Sequence, residues 1–182
     1  MTQEIIFAGF GGQGILSMGK FLAFGGMDIG LNVSWCPSYG PEMRGGTANC
    51  SVILSNEEIG APIITAPDTL VVMNKPSLDK FEKTVKPGGL IILDSNLILR
   101  DVTRDDVEVL RIPSQDEAKA IGSDRIANMV LLGALIEKTQ VLKKEELLLA
   151  LKNHGKDDFY ELNERAIEKG IEYGLRIPVE IG

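Results

Sequence analysis

Ile5-Ile6-Phe7-Ala8-Gly9-Phe10-Gly11-Gly12-Gln13-Gly14-Ile15 decides the fold class. Its apolar run reads as a buried strand, and its glycines as a tight turn. Beyond the turn, Ile15, Met18, Leu22 and Ile29 fall near one helical face, with Gly19 and Ala23 between turns. Gly30 is a plausible helix stop, and Asn32 to Trp35 a second strand. Strand, turn, helix and strand make the opening of a βαβ unit. Gly9-x-Gly11-x-x-Gly14 stands where a dinucleotide-binding fingerprint belongs. Glycines let the backbone approach a phosphate, and the N–H groups of the following helix face the anion. One requirement of a nicotinamide site is missing. The second strand should end in Asp or Glu, and here it runs into Trp35-Cys36-Pro37. Asp28 is at about the right count but precedes Gly30, inside the helix. The turn therefore reads as a nicotinamide or flavin site, as an anion site for another phosphate, or as tight helix packing. Gln13 reads equally as a local cap or a ligand contact.

Working outward, Pro37 to Gly46 is too rich in Pro and Gly for regular structure, and Thr47 to Leu54 is a strand closed by Asn56-Glu57-Glu58. Leu70 to Met73 and Leu90 to Leu93 are buried-type strands, with a helix from Pro76-Ser77 to Val85 between them. Val107 to Ile112 is a further strand stopped by Pro113. Alternating strands and helices predict a mostly parallel sheet covered on both faces, a three-layer α/β domain with a Rossmann-like first βα turn. Ser123 and Asp124 cap a helix running to Leu135. Lys143 to Leu151 and Asp157 to Leu175 are two more, the last with Leu162, Ala166 and Tyr173 on one face. No linker precedes these helices, so they are expected to pack on the sheet within one domain spanning residues 1–182.

The bulk numbers exclude several classes. Apolar residues at 44% and charged residues at 25% are ordinary globular usage, which argues against disorder. A net charge of −7 argues against nucleic acid, which requires clustered Lys and Arg. No apolar run reaches the roughly 20 residues of a membrane span, and Met1-Thr2-Gln3-Glu4 lacks the basic start of a secretory signal. A cytoplasmic location is expected. Two cysteines and one histidine are too few for an iron–sulfur cluster or a usual zinc site. Cys36 and Cys50 are expected as small buried residues in or beside strands, and any redox centre elsewhere. His154, before Gly155, reads as a helix-end residue meeting the last carbonyls. Asp94-Ser95-Asn96 reads as turn chemistry, Arg100 to Glu108 as a solvated surface, and Asn128 as a buried hydrogen-bonding residue without an assigned role.

The second glycine-rich loop is the more informative one. Trp35 to Cys50 holds two prolines, three glycines, aromatic rings and the pair Glu42 and Arg44. It is expected at the carboxyl edge of the sheet beside the first turn, where α/β proteins bind ligands. Arg44 offers a fixed charged fork for phosphate or carboxylate, while Trp35 and Tyr39 offer flat surface. Surface charges on a mobile hairpin explain Glu42 and Arg44 equally well.

Two runs, Gly9-Phe10-Gly11-Gly12-Gln13-Gly14 and Ser38-Tyr39-Gly40-Pro41-Glu42-Met43-Arg44-Gly45-Gly46-Thr47-Ala48-Asn49-Cys50, resemble the gamma subunit of 2-oxoacid:ferredoxin oxidoreductases. Met73 to Phe81 and Val85 to Gly89 fit the same family. The resemblance implies oxidative decarboxylation of a 2-oxoacid with coenzyme A, giving acyl-CoA, carbon dioxide and reduced ferredoxin. The loop leans toward the 2-oxoglutarate or branched-chain (ketoisovalerate) enzymes over the pyruvate ones. It further implies that thiamine diphosphate, Mg and the iron–sulfur clusters belong to partner subunits, alpha and beta with delta as a further candidate, and that the isolated chain is inactive. No catalytic or metal residue is assigned. Gly11, Gly12, Gln13, Gly14, Ser38, Tyr39, Arg44, Gly45 and Gly46 are the candidate coenzyme A or subunit-interface residues. The alternatives are a non-catalytic interaction module, the beta subunit of an indolepyruvate oxidoreductase and, last, an independent NAD(P) enzyme.

Overall fold

A computed structural model of the chain describes residues 1–38 and 47–176. It contains strands β1 (Thr2–Phe10), β2 (Asn32–Ser38), β3 (Thr47–Ser55), β4 (Thr69–Val72), β5 (Leu90–Asp94) and β6 (Glu108–Ile112). The helices are α1 (Ile15–Asp28), α2 (Lys75–Phe81), α3 (Ser114–Ile121), α4 (Ala127–Thr139), α5 (Lys144–His154) and α6 (Tyr160–Gly174). The strands form one sheet in the order β2-β3-β1-β4-β5-β6. β1, β4, β5 and β6 run parallel, while β3 runs antiparallel to both β1 and β2. The mostly parallel sheet is as the sequence predicts, with one departure. β2 does not pair with β1, because the β2–β3 hairpin folds back and puts β3 in that place.

Burial explains the strand sequences. β4 and β5 are buried at every residue, as strands covered on both faces must be. β3 points Cys50, Val52 and Leu54 into the larger core, and β2 at the sheet edge is half-buried or exposed along its length. Pro37 lies in that edge strand opposite Cys50. A proline has no N–H for the ladder, so it is confined to a strand with an open side.

Helices lie on both faces as expected, but unequally. One face carries Ile5, Phe7, Val71 and Ile92 against residues of α1, α3, α4, α5 and α6. The opposite face carries Ile6, Ala8, Leu70, Val72, Ile91 and Leu93 against α2 and the loops bearing Ile64, Ile98, Val102 and Val107. α4 is buried from Ala127 to Ile136, because it lies between the sheet and α6. α6 buries Ala166, Ile167, Gly170 and Tyr173, with Leu162 partly buried. Its contact with α4 is backbone against backbone: a Cβ on Gly170 would overlap the Val130 carbonyl oxygen. The sequence reading missed α3, whose acidic, weakly apolar start follows Pro113.

Arg100 to Glu108 is not merely a solvated surface. The Arg100 guanidinium donates to Asp79 Oδ1 at 2.6 and 2.8 Å and to Glu82 Oε2 at 3.0 Å, and the Thr103 hydroxyl donates to Glu82 Oε1 at 2.7 Å. Arg104 Nη1 donates to the Val85 carbonyl at 2.7 Å, and Arg111 Nη2 to the Ile98 carbonyl at 2.8 Å. The segment is a strap over the thinly covered face, and Glu82, which is buried, is its anchor. Burial by itself raises the Glu82 carboxyl, but bonds from Thr103 and Arg100 outweigh it and hold the group below its ordinary range.

Two outcomes follow from this packing. Gly170→Ala loses about 3 kcal/mol or more in urea unfolding; a gain of the roughly 1 kcal/mol expected from helix propensity alone would contradict the close approach. Arg100→Met loses about 2 kcal/mol at pH 7, since it strips a buried carboxylate of its cation. The depressed Glu82 pKa contributes stability above its unfolded value of about 4.3, lost as pH falls through the folded value. The gap between wild type and variant therefore narrows below about pH 4, and a gap constant down to pH 3 would refute the assignment.

Candidate functional site

The sheet directs its connections to opposite sides at β1. From β1 the chain crosses through α1 toward β2, whereas β4 lies on β1's other flank and leads through α2 to β5. The carboxyl ends of β1 and β4 thus open side by side, with Met73 N donating to Ala8 O at 3.0 Å. Such a reversal point is where open α/β sheets bind ligands.

The glycine turn fills that point. Gly12 and Gly14 have φ of 89° and 75°, left-handed values that an L side chain adopts at a cost. Gly14 is the N-cap of α1, and no side chain caps the helix. Its carbonyl accepts the first helical bond, from Met18 N at 3.1 Å. The N–H groups of Ile15, Leu16 and Ser17 precede that bond and have no partner within the helix. Gly11 and Gly12 are exposed. No titratable side chain occurs from Gly9 to Met18. The segment can bind an anion through main-chain donors and the helix dipole, and it holds no ionisable acid or base.

Gln13 clamps the turn at two points. Its Oε1 accepts from Phe10 N at 2.7 Å, and its Nε2 donates to Met73 O at 3.2 Å, tying the turn to the end of β4. Asn128, for which the sequence suggested no role, holds the other end: its Nδ2 donates to Gly14 O at 3.1 Å. Only the fold brings the start of α4 to the start of α1.

The second loop begins and ends at the same edge. Ser38, exposed at the end of β2, is opposite Asn49; Thr47, at the start of β3, is opposite Phe10. Ser38 thus joins Gly11, Gly12, Gln13 and Gly14 along this edge. Tyr39, Arg44, Gly45 and Gly46 lie outside the described residues. The acid test for a nicotinamide acquires a geometric reason here, because the end of β2 is separated from β1 by the whole of β3.

The remaining candidates take structural roles. Asp94 Oδ1 accepts from Asn96 N at 2.9 Å, and Asn96 Oδ1 accepts from Gln115 N at 3.0 Å and Asp116 N at 3.1 Å, so this turn caps α3. His154 ends α5 as expected, but its ring stacks on Phe24 of α1 at 3.9 Å, with Nε2 3.6 Å from Asp28. Both cysteines lie in strands. Cys50 is buried as expected, whereas Cys36 is exposed on the edge strand. Burial pushes the Cys50 thiol up to about 12, against smaller opposing effects of the Trp35 indole and the Gly19 backbone. Among the described residues no cluster of His, Cys, Asp and Glu is suited to a metal ion, and no helix is long and apolar enough to cross a membrane.

An α/β domain with an open helix N-terminus at its reversal point, free of titratable side chains from Gly9 to Met18, is what fold and site define. The model of the pyruvate ferredoxin/flavodoxin oxidoreductase family matches residues 4–173. The ketoisovalerate oxidoreductase subunit VorA of Methanothermobacter thermautotrophicus is 40% identical over 91% of this chain, which spans about a third (35%) of that relative's length. The crystal structure of a keto/oxoacid ferredoxin oxidoreductase gamma subunit from Geobacter sulfurreducens superposes with a TM-score of 0.86 at 30% identity, covering 96% of this chain and 97% of that one. The 2-oxoglutarate:ferredoxin oxidoreductase of Magnetococcus marinus, solved with 2-oxoglutarate, coenzyme A and succinyl-CoA bound, also gives 0.86, at 27% identity over 99% of this chain and 32% of its own. This chain belongs to the pyruvate ferredoxin/flavodoxin oxidoreductase family.

The contrast between the two thiols is directly measurable. On the isolated chain at pH 8, an alkylating reagent modifies Cys36 and leaves Cys50 untouched until denaturant is added. Rapid modification of both in the native protein would contradict the packing of α1 on β3.

Proposed function

We propose that this chain is the gamma subunit of a multisubunit 2-oxoacid:ferredoxin oxidoreductase, acting on 2-oxoglutarate or a branched-chain 2-oxoacid in the cytoplasm. The complex oxidatively decarboxylates the oxoacid and joins the acyl group to coenzyme A, and the electrons pass to ferredoxin. The chain contributes binding rather than bond-making. The observation that carries this reading is the glycine turn: an open helix N-terminus at the reversal point, with Ser38 and Thr47 at the same edge, and free of titratable groups. Oriented N–H groups suit the phosphates of coenzyme A, and a guanidinium such as that of Arg44 suits them equally. Both the 97% coverage of a separate gamma subunit and the coenzyme A in the Magnetococcus enzyme support it. Thiamine diphosphate, Mg and the iron–sulfur clusters then reside on alpha and beta partners, with delta a further candidate, and these supply the carbanion and electron-transfer chemistry.

A second reading, a pure interaction module, is favoured by the aromatic and proline content of the same loop. Arg44→Ala in the assembled complex separates the two. On the coenzyme A reading, the KM for coenzyme A rises about tenfold or more, the loss of one charged hydrogen bond, while the subunits stay together. Lost assembly with unchanged coenzyme A affinity establishes the module instead, and no change in either removes Arg44 from both.

A further inference from the structure

Asn128 breaks the rule its surroundings obey. It is 4% exposed in the first turn of α4, between the buried Ala127 and Met129, Val130 and Leu131. Its Nδ2 is bonded to the Gly14 carbonyl, but its Oδ1 is buried without a partner. An orphaned acceptor in an apolar setting destabilises a fold. Leucine has the same branching with greater bulk, a better helix propensity and no polar atom to bury. Stability alone therefore favours an apolar residue here, and a residue that violates local consistency marks a functional demand.

The demand is legible at the other end of the bond. Gly14 adopts a left-handed conformation, and a Cβ on it would overlap the Asn128 amide, so residues 14 and 128 are fitted to each other. The Gly14 carbonyl serves both Asn128 and Met18 N, which fixes the direction of the first peptide of α1. Gln13 secures the upstream half of the turn to Met73. Two amide side chains thus clamp the turn from the protein side, and the exposed Gly11 and Gly12 backbone is left open outward. Donors held in place before the ligand arrives bind it better, because no ordering remains to be done.

We infer that Asn128 is a positioning residue, holding Gly14 and the first turn of α1 in the orientation that receives the phosphate end of coenzyme A. This rests on the coenzyme A reading of the glycine edge. The test uses the assembled complex with Asn128→Leu and Gly12→Asn. Gly12 is exposed and a side chain there meets no neighbour within 4 Å, so that variant disturbs only the outward surface of the turn. Asparagine is among the residues that tolerate positive φ. The expected result for Asn128→Leu is a melting temperature of the isolated chain unchanged or raised, with a KM for coenzyme A up about tenfold and kcat nearly constant. A lowered melting temperature or a chain that fails to fold makes Asn128 structural and overturns the inference. An unchanged KM in Asn128→Leu beside a raised KM in Gly12→Asn overturns the role of Asn128 and leaves the coenzyme A reading standing. An unchanged KM in both variants removes the reading and the inference together.

Discussion

Strand β1 is hydrogen-bonded along both sides, antiparallel to β3 and parallel to β4, and the rest of the molecule is arranged around that fact. A parallel neighbour can be reached only by a crossover, an antiparallel one by a hairpin. With β3 on one flank and β4 on the other, the connections must diverge at the end of β1. A crevice opens there with no side chain needed to carve it. The glycine turn lies in this crevice because residues without Cβ accept its left-handed backbone angles at the least cost beside the tightly packed start of α1. The Phe10–Thr47 and Ser38–Asn49 pairings bring the described ends of the second loop to the same edge as the glycine turn through register alone.

How much of this was written in local sequence depends on the range of the interaction responsible. Ile5 to Ala8, Leu70 to Met73 and Leu90 to Leu93 are legible as strands because they are buried on both faces and therefore uniformly apolar. Asn74, which accepts from Ser77 N at 2.8 Å, and Ser123, which accepts from Arg125 N at 3.2 Å, start their helical segments through contacts two or three residues away. The place of β3 between β1 and β2 is different. It is fixed by which strands pair, a choice no local pattern states. α3 escaped because its burial rests on Ser114 and Ala118 alone. The strap from Arg100 to Glu108 looked solvated because its charges are satisfied by Asp79 and Glu82 on α2 and the turn after it, roughly 20 residues earlier in the chain.

The candidate site shows the same division. Its glycines and its strand–turn–helix setting stand out in the sequence, since they serve local backbone geometry. Gln13 could be suspected but not placed, because one of its two partners, the Met73 carbonyl, is 60 residues away. Asn128 is 114 residues from Gly14, and in sequence it is only a polar residue opening an apolar helix. What is distinctive is that the polar groups on the turn's inner side are side-chain amides and never ionised. An amide holds a carbonyl without adding charge, so the field at the start of α1 remains that of the helix dipole.

Pro37 has a consequence of its own. β2 forms one rim of the sheet, and a rim normally presents a ladder of donors and acceptors to any passing extended peptide. At Pro37 one rung of that ladder has no donor, and a pyrrolidine ring stands in its place. A stray strand trying to lengthen the sheet would meet an interruption just before the glycine-rich edge. The imino acid therefore guards this edge against runaway self-templating.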